Sequence, residues 1–233
     1  MKQDWLQRER MLFGDEKVDR LQTKKVLLFG VGGVGGYTLE ALVRAGVGEV
    51  TVVDNDFFSE SNLNRQLLAT RESVGRSKVA VAAERAKMIS EQVKVKALDL
   101  FADENNIPSL LREEKPDYVI DAIDTVSAKL SIIREAKKLN IPVISSMGTG
   151  NKLDPTRFKI TDIAKTHTCP LAKVMRIKLR EEGILHADVL FSDEEPSGTT
   201  EKDPESGRHI PGSVSYIPAI AGLMLAGYVI NKL

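Results

Sequence analysis

Five glycines between residues 30 and 36 constrain the fold of this chain more than any other feature. Gly30, Gly32 and Gly35 match the Gly-x-Gly-x-x-Gly pattern, in which a strand turns tightly into a helix and backbone N–H groups approach a phosphate. The apolar run 25–30 leads into this pattern. The sequence therefore predicts a strand, a turn and a helix with a nucleotide at the turn. The alternative is a tight turn that packs without a ligand.

Alternating apolar runs extend this unit along the chain. Helical spacing follows the glycines until Gly46 and Gly48, and the β-branched run 49–54 completes a strand–helix–strand unit. The predicted strands are 25–30, 49–54, 93–100, 118–122 and 142–146, and the predicted helices are 34–45, 77–90, 107–114 and 127–139. This alternation is typical of an α/β fold with a doubly wound, mostly parallel sheet of the Rossmann-like kind, whose ligands bind at the carboxyl ends of the strands.

We expect a single domain over residues 1–233 with three parts. An N-terminal arm of one helix or a helical hairpin (1–23) turns at Gly14, and a nucleotide-binding core spans 24–150. An extension on the substrate and dimer side spans 151–233. Its predicted elements are a strand at 157–163, a helix at 170–182, a strand at 188–191, a mobile loop at 193–213 and a helix at 217–230 that packs in the core or at a dimer interface.

Composition limits the class of protein. Basic and acidic residues number 33 each, so the net charge points to no charged partner. The single cysteine, Cys169, excludes an intrachain disulfide and a zinc site built from paired cysteines. The apolar stretch 216–230 is shorter than the ~20 residues that a membrane span needs. We therefore expect a soluble cytoplasmic protein without a membrane contact.

A carboxylate and a polar loop follow the second predicted strand. Asp54 ends that strand, where a carboxylate accepts hydrogen bonds from the ribose hydroxyls of NAD or ATP alike. Backbone N–H groups around Gly32 and Gly33 would hold phosphate. Asp56 would assist Asp54 or would lie solvated in the loop.

Two cations and a second carboxylate favour ATP chemistry over hydride transfer. Nucleotidyl transfer to a carboxylate places negative charge on the α-phosphate and on pyrophosphate, which fixed cations and Mg²⁺ stabilise. Arg65 supplies a planar fork and Lys78 a point charge, while Asp124 lies where the fourth strand opens toward the nucleotide and would hold Mg²⁺. Asp121 is expected to make local hydrogen bonds. The polar side chains that would orient the nucleotide and the carboxylate are Asn62, Asn64 and Gln66.

Other interpretations of these residues stay open. Each charge taken singly could be solvated on the surface. An NAD-linked oxidoreductase would account for the glycines and Asp54 but not for Arg65 and Lys78, and a nucleotide-sensing module without turnover would not need Asp124. Cys169 lies close to His167 in the sequence, which could suggest a nucleophile, although a structural cysteine is the default.

Several motifs together resemble the adenylating enzymes related to ubiquitin-activating E1, a group that includes the molybdopterin- and thiamine-pathway adenylyltransferases. The motifs are the glycine loop 30–36, Val53-Asp54-Asn55-Asp56, Ser61-Asn62-Leu63-Asn64-Arg65-Gln66, Gly75-Arg76-Ser77-Lys78 and Asp121-Ala122-Ile123-Asp124. The resemblance spans nearly the whole chain. It implies that Asp54 binds ribose, that Asp124 serves ATP and Mg²⁺, and that the phosphates contact Asn64, Arg65 and Lys78.

The resemblance also implies a homodimer whose sites are completed across the interface. An arginine from the partner's N-terminal arm would reach the nucleotide. Arg8 is the first candidate and Arg10 the second. The alternative is a plain surface helix on which Arg8 is solvated.

The second half of the chain narrows the resemblance. Residues 145–158, Lys165-Thr166 and Pro170-Leu171-Ala172 resemble the branch that uses ATP to cyclise threonylcarbamoyladenosine at position 37 of tRNA. An acyl-adenylate that is closed by a nucleophile of the same substrate needs no protein thiol. Adenylation of the C-terminus of a ubiquitin-like sulfur-carrier protein is the alternative. A sulfur-relay protein partner and a monovalent cation at the Gly148–Asp154 loop stay open.

A basic segment is the candidate surface for tRNA. Residues 152–180 hold eight basic residues against two acidic ones. Lys173, Arg176 and Arg180 lie at helical spacing on one face, where they would contact RNA phosphates. The alternative is a solvated helix face, with Leu171, Val174, Ile177 and Leu179 on the opposite face.

Overall fold

The computed structural model describes residues 4–198, 201–202 and 209–233. Its strands are β1 (Lys25–Phe29), β2 (Glu49–Asp54), β3 (Lys94–Asp99), β4 (Tyr118–Asp121), β5 (Val143–Ser146), β6 (Phe158–Asp162), β7 (Asp188–Ser192), β8 (Glu201–Lys202) and β9 (His209–Ile210). Its α-helices are α1 (Gln7–Phe13), α2 (Asp15–Leu21), α3 (Gly35–Arg44), α4 (Lys78–Ile89), α5 (Ile107–Glu114), α6 (Val126–Lys138), α7 (Pro170–Glu181) and α8 (Tyr216–Lys232). The strands and helices predicted outside the arm are confirmed, and their ends shift by at most two residues.

One seven-stranded sheet forms the centre of the fold, in the order β3-β2-β1-β4-β5-β7-β6. Neighbouring strands pair in parallel except β6, which runs antiparallel to β7. The predicted doubly wound, mostly parallel sheet is therefore confirmed. The order of strands reverses between β1 and β4, and a crevice opens at their carboxyl ends, as in other sheets of this kind.

Helices cover both faces of the sheet, which explains why its central strands are apolar along their whole length. Every residue of β4 is buried, and so is all of β1 except Lys25. Helices α3, α4 and α8 pack on one face around Leu39, Ala82 and Leu225. Helices α5, α6 and α7 pack on the other face. A strand that is buried on both sides has apolar residues at successive positions of its sequence.

The N-terminal arm is a helical hairpin, which is one of the two forms predicted from the sequence. Gly14 joins α1 to α2 with φ of 79°, a left-handed conformation that suits glycine. The side chain of Leu6 packs against Gly46, just before β2. The indole nitrogen of Trp5 donates to Gln92, just before β3, over 3.3 Å. The arm thus lies at the amino ends of the strands, opposite the crevice.

Helix α8 packs closely against α3, so it is a core helix. The hydroxyl of Thr38 donates to the carbonyl oxygen of Gly222 over 3.0 Å. A Cβ at Gly222 would overlap the carbonyl oxygen of Val34 and lie 3.0 Å from the Cβ of Tyr37. In the part of the chain that the structure describes, no helix is both long and apolar enough to cross a membrane.

Gly222→Ala is expected to lower the free energy of unfolding by about 1–3 kcal/mol, because α3 and α8 must separate to admit the methyl group. Gly227→Ala is the matched control in the same helix, since no described atom lies within 4 Å of a Cβ built there. The control should be neutral or gain up to ~1 kcal/mol from helix propensity. Urea denaturation of both variants checks this, and equal midpoints for Gly222→Ala and the parent would contradict it.

Both flanks of the predicted mobile loop (193–213) are tied to Asn151. The backbone N–H of Ser197 donates to the Asn151 carbonyl oxygen over 2.9 Å, and that of Gly212 donates to the Asn151 side chain over 2.6 Å. Residues 199–200 and 203–208 of this loop lie outside the described residues. The mobility of the loop stays a prediction.

Candidate functional site

A cleft of about 770 Å³ opens at the carboxyl ends of β1, β2, β4 and β5. Ten of the residues predicted for the site line it: Gly30, Gly32, Gly33, Asp54, Asp56, Asn62, Arg65, Gln66, Lys78 and Asp124. The remaining three predicted residues, Gly35, Asn64 and Arg8, are not among its lining residues. Most of the predicted site is thus assembled in one place, and each of the three exceptions has a structural reason.

The glycine loop turns β1 into α3 at the floor of the cleft. Gly30 has φ of 87°, and a Cβ there would lie 2.8 Å from the Ala122 carbonyl oxygen. A Cβ at Gly35 would overlap the carbonyl oxygen of Gly30. Gly35 therefore shapes the loop from beneath, while Gly32 and Gly33 line the cleft near the N-terminus of α3. Exposed N–H groups at such a terminus suit a phosphate.

Asp54 links the end of β2 to the glycine loop. Its carboxylate accepts the backbone N–H of Val31 and that of Asp56, each over 2.9 Å. Burial raises the pKa of Asp54 above its ordinary value, although both N–H groups and the positive charge of Lys78 act in the opposite direction. A carboxylate that is partly removed from water and retains free lone pairs is suited to accept ribose hydroxyls.

Lys78 is the first residue of α4 and its side chain is almost fully buried. Its ammonium group lies 2.8 Å from the Asp56 carboxylate, and its backbone N–H donates to the Asp56 carbonyl oxygen over 3.0 Å. The side chain of Asp56 is largely exposed, and it orients Lys78 toward the cleft. Asp56 therefore has a partner other than the nucleotide, which the sequence did not suggest.

The Asn-rich loop between β2 and α4 positions Arg65. The guanidinium group donates to the Ser61 carbonyl oxygen over 2.6 Å and to the side chain of Asn64 over 2.9 Å. Asn64 in turn donates to the carbonyl oxygen of Ser213 over 3.0 Å. The amide of Asn64 thus connects Arg65 to the segment before α8, and its contact with the phosphates stays a prediction.

Asn62 and Gln66 are buried beside Arg65. The side chain of Asn62 accepts the N–H of Ser59 over 3.1 Å and so closes the short helical turn at residues 60–62. The Oε1 atom of Gln66 is buried without a hydrogen-bond partner among the described residues. Both residues line the cleft, so a role toward the nucleotide stays a prediction for each of them.

Asp124 lies past the end of β4 with its carboxylate exposed to the cleft. It makes no side-chain hydrogen bond or ion pair within the described part of the chain. The same residues contain no cluster of three or more side chains that could hold a metal by themselves. Mg²⁺ is commonly held by one or two carboxylates together with substrate phosphates. Asp124 therefore fits a magnesium ion that arrives with a triphosphate.

Asp121 is fully buried, and it makes the local hydrogen bonds that were expected. Its carboxylate accepts the hydroxyl of Ser145 and the N–H of Ile123. The ammonium group of Lys129 lies 2.9 Å away. Sequence reasoning missed Lys129, although it interrupts the buried stripe of α6 formed by Leu130 and Ile133. A charge in an apolar stripe is the signal that could have found it.

The two candidate arginines of the arm differ in their environment. Arg10 is engaged by three carboxylates, those of Asp4, Asp15 and Asp19, at distances of 2.6, 3.3 and 2.7 Å. Arg8 is exposed and makes no ion pair with the described residues. Because the arm lies at the amino ends of the strands, Arg8 is far from the cleft of its own chain.

The basic face predicted on α7 is wrong in part. Arg176 is half-buried and donates to the carbonyl oxygen and the hydroxyl of Thr166, over 2.8 and 2.6 Å. Val174 and Ile177 are exposed, whereas the buried stripe of α7 is Ala172, Met175 and Leu179. The helix is rotated relative to the prediction, because residues 172, 175 and 179 share a face.

Cys169 is buried at the start of α7, which is the structural environment expected by default. The ring of His167 packs edge-on against Phe191 with centroids 5.5 Å apart, and its Nδ1 atom lies 3.0 Å from the Thr168 hydroxyl. His167 is therefore occupied by other contacts. These contacts give a nucleophilic cysteine no support.

Some apolar walls of the cleft could not be predicted from the sequence. Phe101 follows β3, Leu171 opens α7, and Pro218 packs against Gly33. Gly150 lies so close to Pro211 that a Cβ at Gly150 would be 2.5 Å from the proline ring. These residues are distant in sequence, and only the fold brings them together.

Comparisons with known proteins cover nearly the whole chain. The family model described as "ThiF family" matches residues 6–233. A tRNA threonylcarbamoyladenosine dehydratase of Bacillus subtilis (strain 168) is 41% identical, covering 97% of this chain and 93% of the relative. That of Escherichia coli (strain K12) is 35% identical, with 78% of this chain and 71% of the relative covered. The crystal structure of the E. coli enzyme in complex with ATP has a TM-score of 0.88 and 31% identity, covering 98% of this chain and 94% of that one.

Proposed function

The chain belongs to the ThiF family, and on that premise we propose that it uses ATP to adenylate the carboxylate of threonylcarbamoyladenosine in tRNA, which then cyclises with loss of water. One observation carries the proposal. A single cleft combines a nucleotide-binding loop and Asp54 with Arg65, Lys78 and Asp124, whose carboxylate makes no ion pair with the described residues. The loop and Asp54 suffice to bind a nucleotide, whereas the two cations and the second carboxylate suit attack on its α-phosphate.

We propose that each element of the cleft binds a different part of ATP. The ribose hydroxyls would donate to Asp54, and the phosphates would lie against the N–H groups near Gly32 and Gly33. Arg65 and Lys78 would neutralise the phosphates, Arg65 with two donors in a plane and Lys78 with a point charge. Asp56 and Asn64 would keep these cations in place, since each already contacts one of them.

The proposed reaction has two steps. A carboxylate oxygen of the substrate attacks the α-phosphorus of ATP, and the bond to pyrophosphate breaks, which gives an acyl-adenylate. A nucleophilic atom of the same threonylcarbamoyl group then attacks the acyl carbon, AMP leaves with the bonding electrons, and the nucleophile loses its proton. The ring closes and the substrate loses the elements of water. Lys78 and Arg65 stabilise the negative charge that grows on the phosphates in the first step.

The second step requires no protein thiol. The nucleophile and the activated carbonyl belong to one group, so their proximity replaces covalent catalysis. The single cysteine, Cys169, is buried, and the proposed reaction gives it no part. Asp124, together with the phosphates, would hold a magnesium ion, whose positive charge would stabilise the negative charge that grows on pyrophosphate.

We further propose a homodimer in which Arg8 of one subunit reaches the cleft of the other. Arg8 is exposed without an ion pair in the described residues, and its arm lies at the opposite end of the sheet from its own cleft. Its own cleft is therefore out of its reach, which leaves the cleft of another subunit as its proposed target. Arg10 is less suited, because its three aspartate partners would have to be released first.

The surface around α7 is the proposed contact for tRNA. Leu171 lines the cleft at the start of this helix, and the exposed Lys173 and Arg180 follow it. Phosphate contacts there would weaken as salt increases. The exposed Val174 and Ile177 offer apolar surface to a protein, such as the sulfur-relay partner considered above. Action on tRNA is in keeping with the cytoplasmic location expected from the sequence.

The monovalent cation considered for the Gly148–Asp154 loop stays a hypothesis. The ammonium group of Lys152 is buried in that loop and donates to the carbonyl oxygen of Glu194. The carboxylate of Glu194 accepts the N–H groups of Leu153 and Asp154, over 2.9 and 3.0 Å. A positive charge of the chain itself therefore already links this loop to Glu194, just after β7.

The two enzymatic alternatives have less support. An NAD-linked oxidoreductase disagrees with the family and with the relatives named above. Activation of a sulfur-carrier protein would use the same adenylation chemistry, but no feature of the described cleft favours the C-terminus of a protein over a nucleoside carboxylate.

Mass spectrometry of nucleosides tests the proposed function. Transfer RNA that carries threonylcarbamoyladenosine is incubated with the protein and Mg-ATP, then digested. We expect ATP-dependent loss of one water, about 18 Da, from the modified nucleoside. The α,β-methylene analogue of ATP is the matched control, because its bridging carbon prevents departure of pyrophosphate at the attacked phosphorus. An unchanged nucleoside under conditions where ATP binds would refute the tRNA substrate.

A further inference from the structure

We infer that the buried ion pair of Asp121 and Lys129 positions Asp124 for its role at the nucleotide. Both side chains have no exposed surface, and the Lys129 nitrogen lies 2.9 Å from an Asp121 oxygen. Neither residue lines the cleft. The inference rests on the proposed role of Asp124 in binding Mg-ATP, and it assigns a function to two charges that the reaction itself does not use.

The ion pair holds the backbone immediately before Asp124 from both sides. The N–H of Ile123 donates to Asp121 over 3.2 Å, and the Ile123 carbonyl oxygen accepts from the ammonium group of Lys129 over 2.9 Å. Both polar groups of this residue are therefore bound by the pair. The residue that follows is Asp124, so the direction in which its side chain leaves the backbone depends on these two hydrogen bonds.

Neighbouring strands support the same segment. The hydroxyl of Ser145, on β5, donates to the Asp121 oxygen that faces Lys129. The N–H of Ala122 donates to the carbonyl oxygen of Phe29 over 2.8 Å. Gly30 leaves no room on the other side, since a Cβ there would lie 3.0 Å from a methyl carbon of Ile123. The segment before Asp124 is thus fixed by β1, β5 and α6 together.

Fold stability alone does not explain two fully buried charges at this point. Burial of an ion pair carries a large desolvation penalty, and apolar residues of similar volume are often as stabilising or more so. A fully satisfied polar network instead specifies one geometry. Asp124 has no side-chain partner of its own in the described part of the chain, so its geometry must come from its backbone. The ion pair supplies that geometry.

Two paired substitutions separate positioning from packing. Asp121→Leu with Lys129→Met removes both charges and both hydrogen bonds to Ile123, but fills the space. Asp121→Asn with Lys129→Gln also removes the charges, yet an amide oxygen at position 121 can still accept the Ile123 N–H. Glu135→Leu with Lys138→Met is the matched control, because it removes an ion pair of 2.7 Å from the far end of the same helix.

Thermal unfolding first establishes which proteins are folded, and ATP binding is then titrated with and without Mg²⁺. We expect the apolar pair to bind ATP in EDTA within a few-fold of the parent, because Asp54, Lys78 and the glycine loop are unchanged. The Mg²⁺ concentration that gives half of its full effect on ATP binding should rise. The kcat of the apolar pair should fall by about 10–100-fold, as for other residues that orient a metal ligand. The amide pair should retain at least ten times the activity of the apolar pair by the same reasoning.

Equal activity and equal Mg²⁺ dependence of the apolar and amide pairs would overturn the inference, and so would a comparable loss in the Glu135 and Lys138 control. The titration of ATP binding needs no tRNA. If the parent protein leaves tRNA unchanged, the proposed function fails, while the Mg²⁺ requirements of the variants still decide whether the ion pair positions Asp124.

Discussion

Replacement of Lys78 by alanine is expected to reduce the rate of adenylation by about 10²–10³-fold, the loss typical when a group aimed at a transition state is removed. The Lys78 ammonium group is buried at the wall of the cleft and is held 2.8 Å from Asp56. Negative charge grows on the α-phosphate and pyrophosphate as the carboxylate attacks. A positive charge that is already in place then stabilises the transition state more than bound ATP, so kcat should fall more than ATP affinity.

Two companion variants isolate the charge in this prediction. Lys78→Met keeps the buried stem of the side chain and should lose nearly as much activity as Lys78→Ala. Lys87→Ala removes an exposed lysine from the same helix and should leave the rate unchanged. Exchange of labelled pyrophosphate into ATP in the presence of tRNA measures the first step alone. A reduction of less than about 10-fold would show that Lys78 is not the main cation at the phosphates.

Arg8→Ala is expected to reduce activity by at least about 100-fold without lowering the melting temperature, since Arg8 is exposed and makes no ion pair in the described residues. Arg10→Ala should instead lower the melting temperature and have little effect on the activity of the folded protein. It would remove the partner of three aspartates and loosen the hairpin, so its melting temperature should fall. The two variants thus distinguish an arginine that acts at a site from one that holds the arm together.

Mixed dimers test whether Arg8 acts in the partner's cleft. A dimer of one Arg8→Ala subunit and one Asp124→Ala subunit contains one cleft with an intact Asp124 and an intact Arg8 from the other subunit. In a random mixture about half of the dimers are mixed, so about one quarter of the parental activity should return. No recovery in verified mixed dimers would refute action between subunits, whereas it would leave the role of Asp124 intact.

Much of the fold was predictable because its strands are buried on both faces. In β1 and β4, burial on both sides requires apolar residues at successive positions, so the strands can be recognised in the sequence. The polar residues that follow these runs then mark the carboxyl ends of the strands. Asp54 and Asp124 stand at such ends. Parallel pairing then brings those ends to one edge of the sheet. For this reason the residues predicted from separate motifs lie together in one cleft.

The contacts that pattern reasoning missed join side chains to residues of other structural elements. Asn64 was expected at the nucleotide, but its partner Ser213 is 149 residues away and could not be inferred from local spacing. Arg176 fitted a basic face, but its guanidinium group donates to the hydroxyl of Thr166. Lys129 contacts Asp121 only because the chain reverses between β4 and α6. In each case the side chain has several possible roles, and tertiary packing selects one.

Asn151 ties both ends of the segment between Ser197 and Gly212, and this makes the segment a natural insertion point. Ser197 and Gly212 are bound to the same residue, so a change in length between them leaves the two anchors where they are. The entropic cost of a longer closed loop grows slowly, by about 0.6 kcal/mol for each doubling. A fluorescent label or an affinity tag inserted between Gly198 and Ile210 would leave Pro211 at the wall of the cleft, and it would leave the N-terminal arm free for its proposed contact with a second subunit.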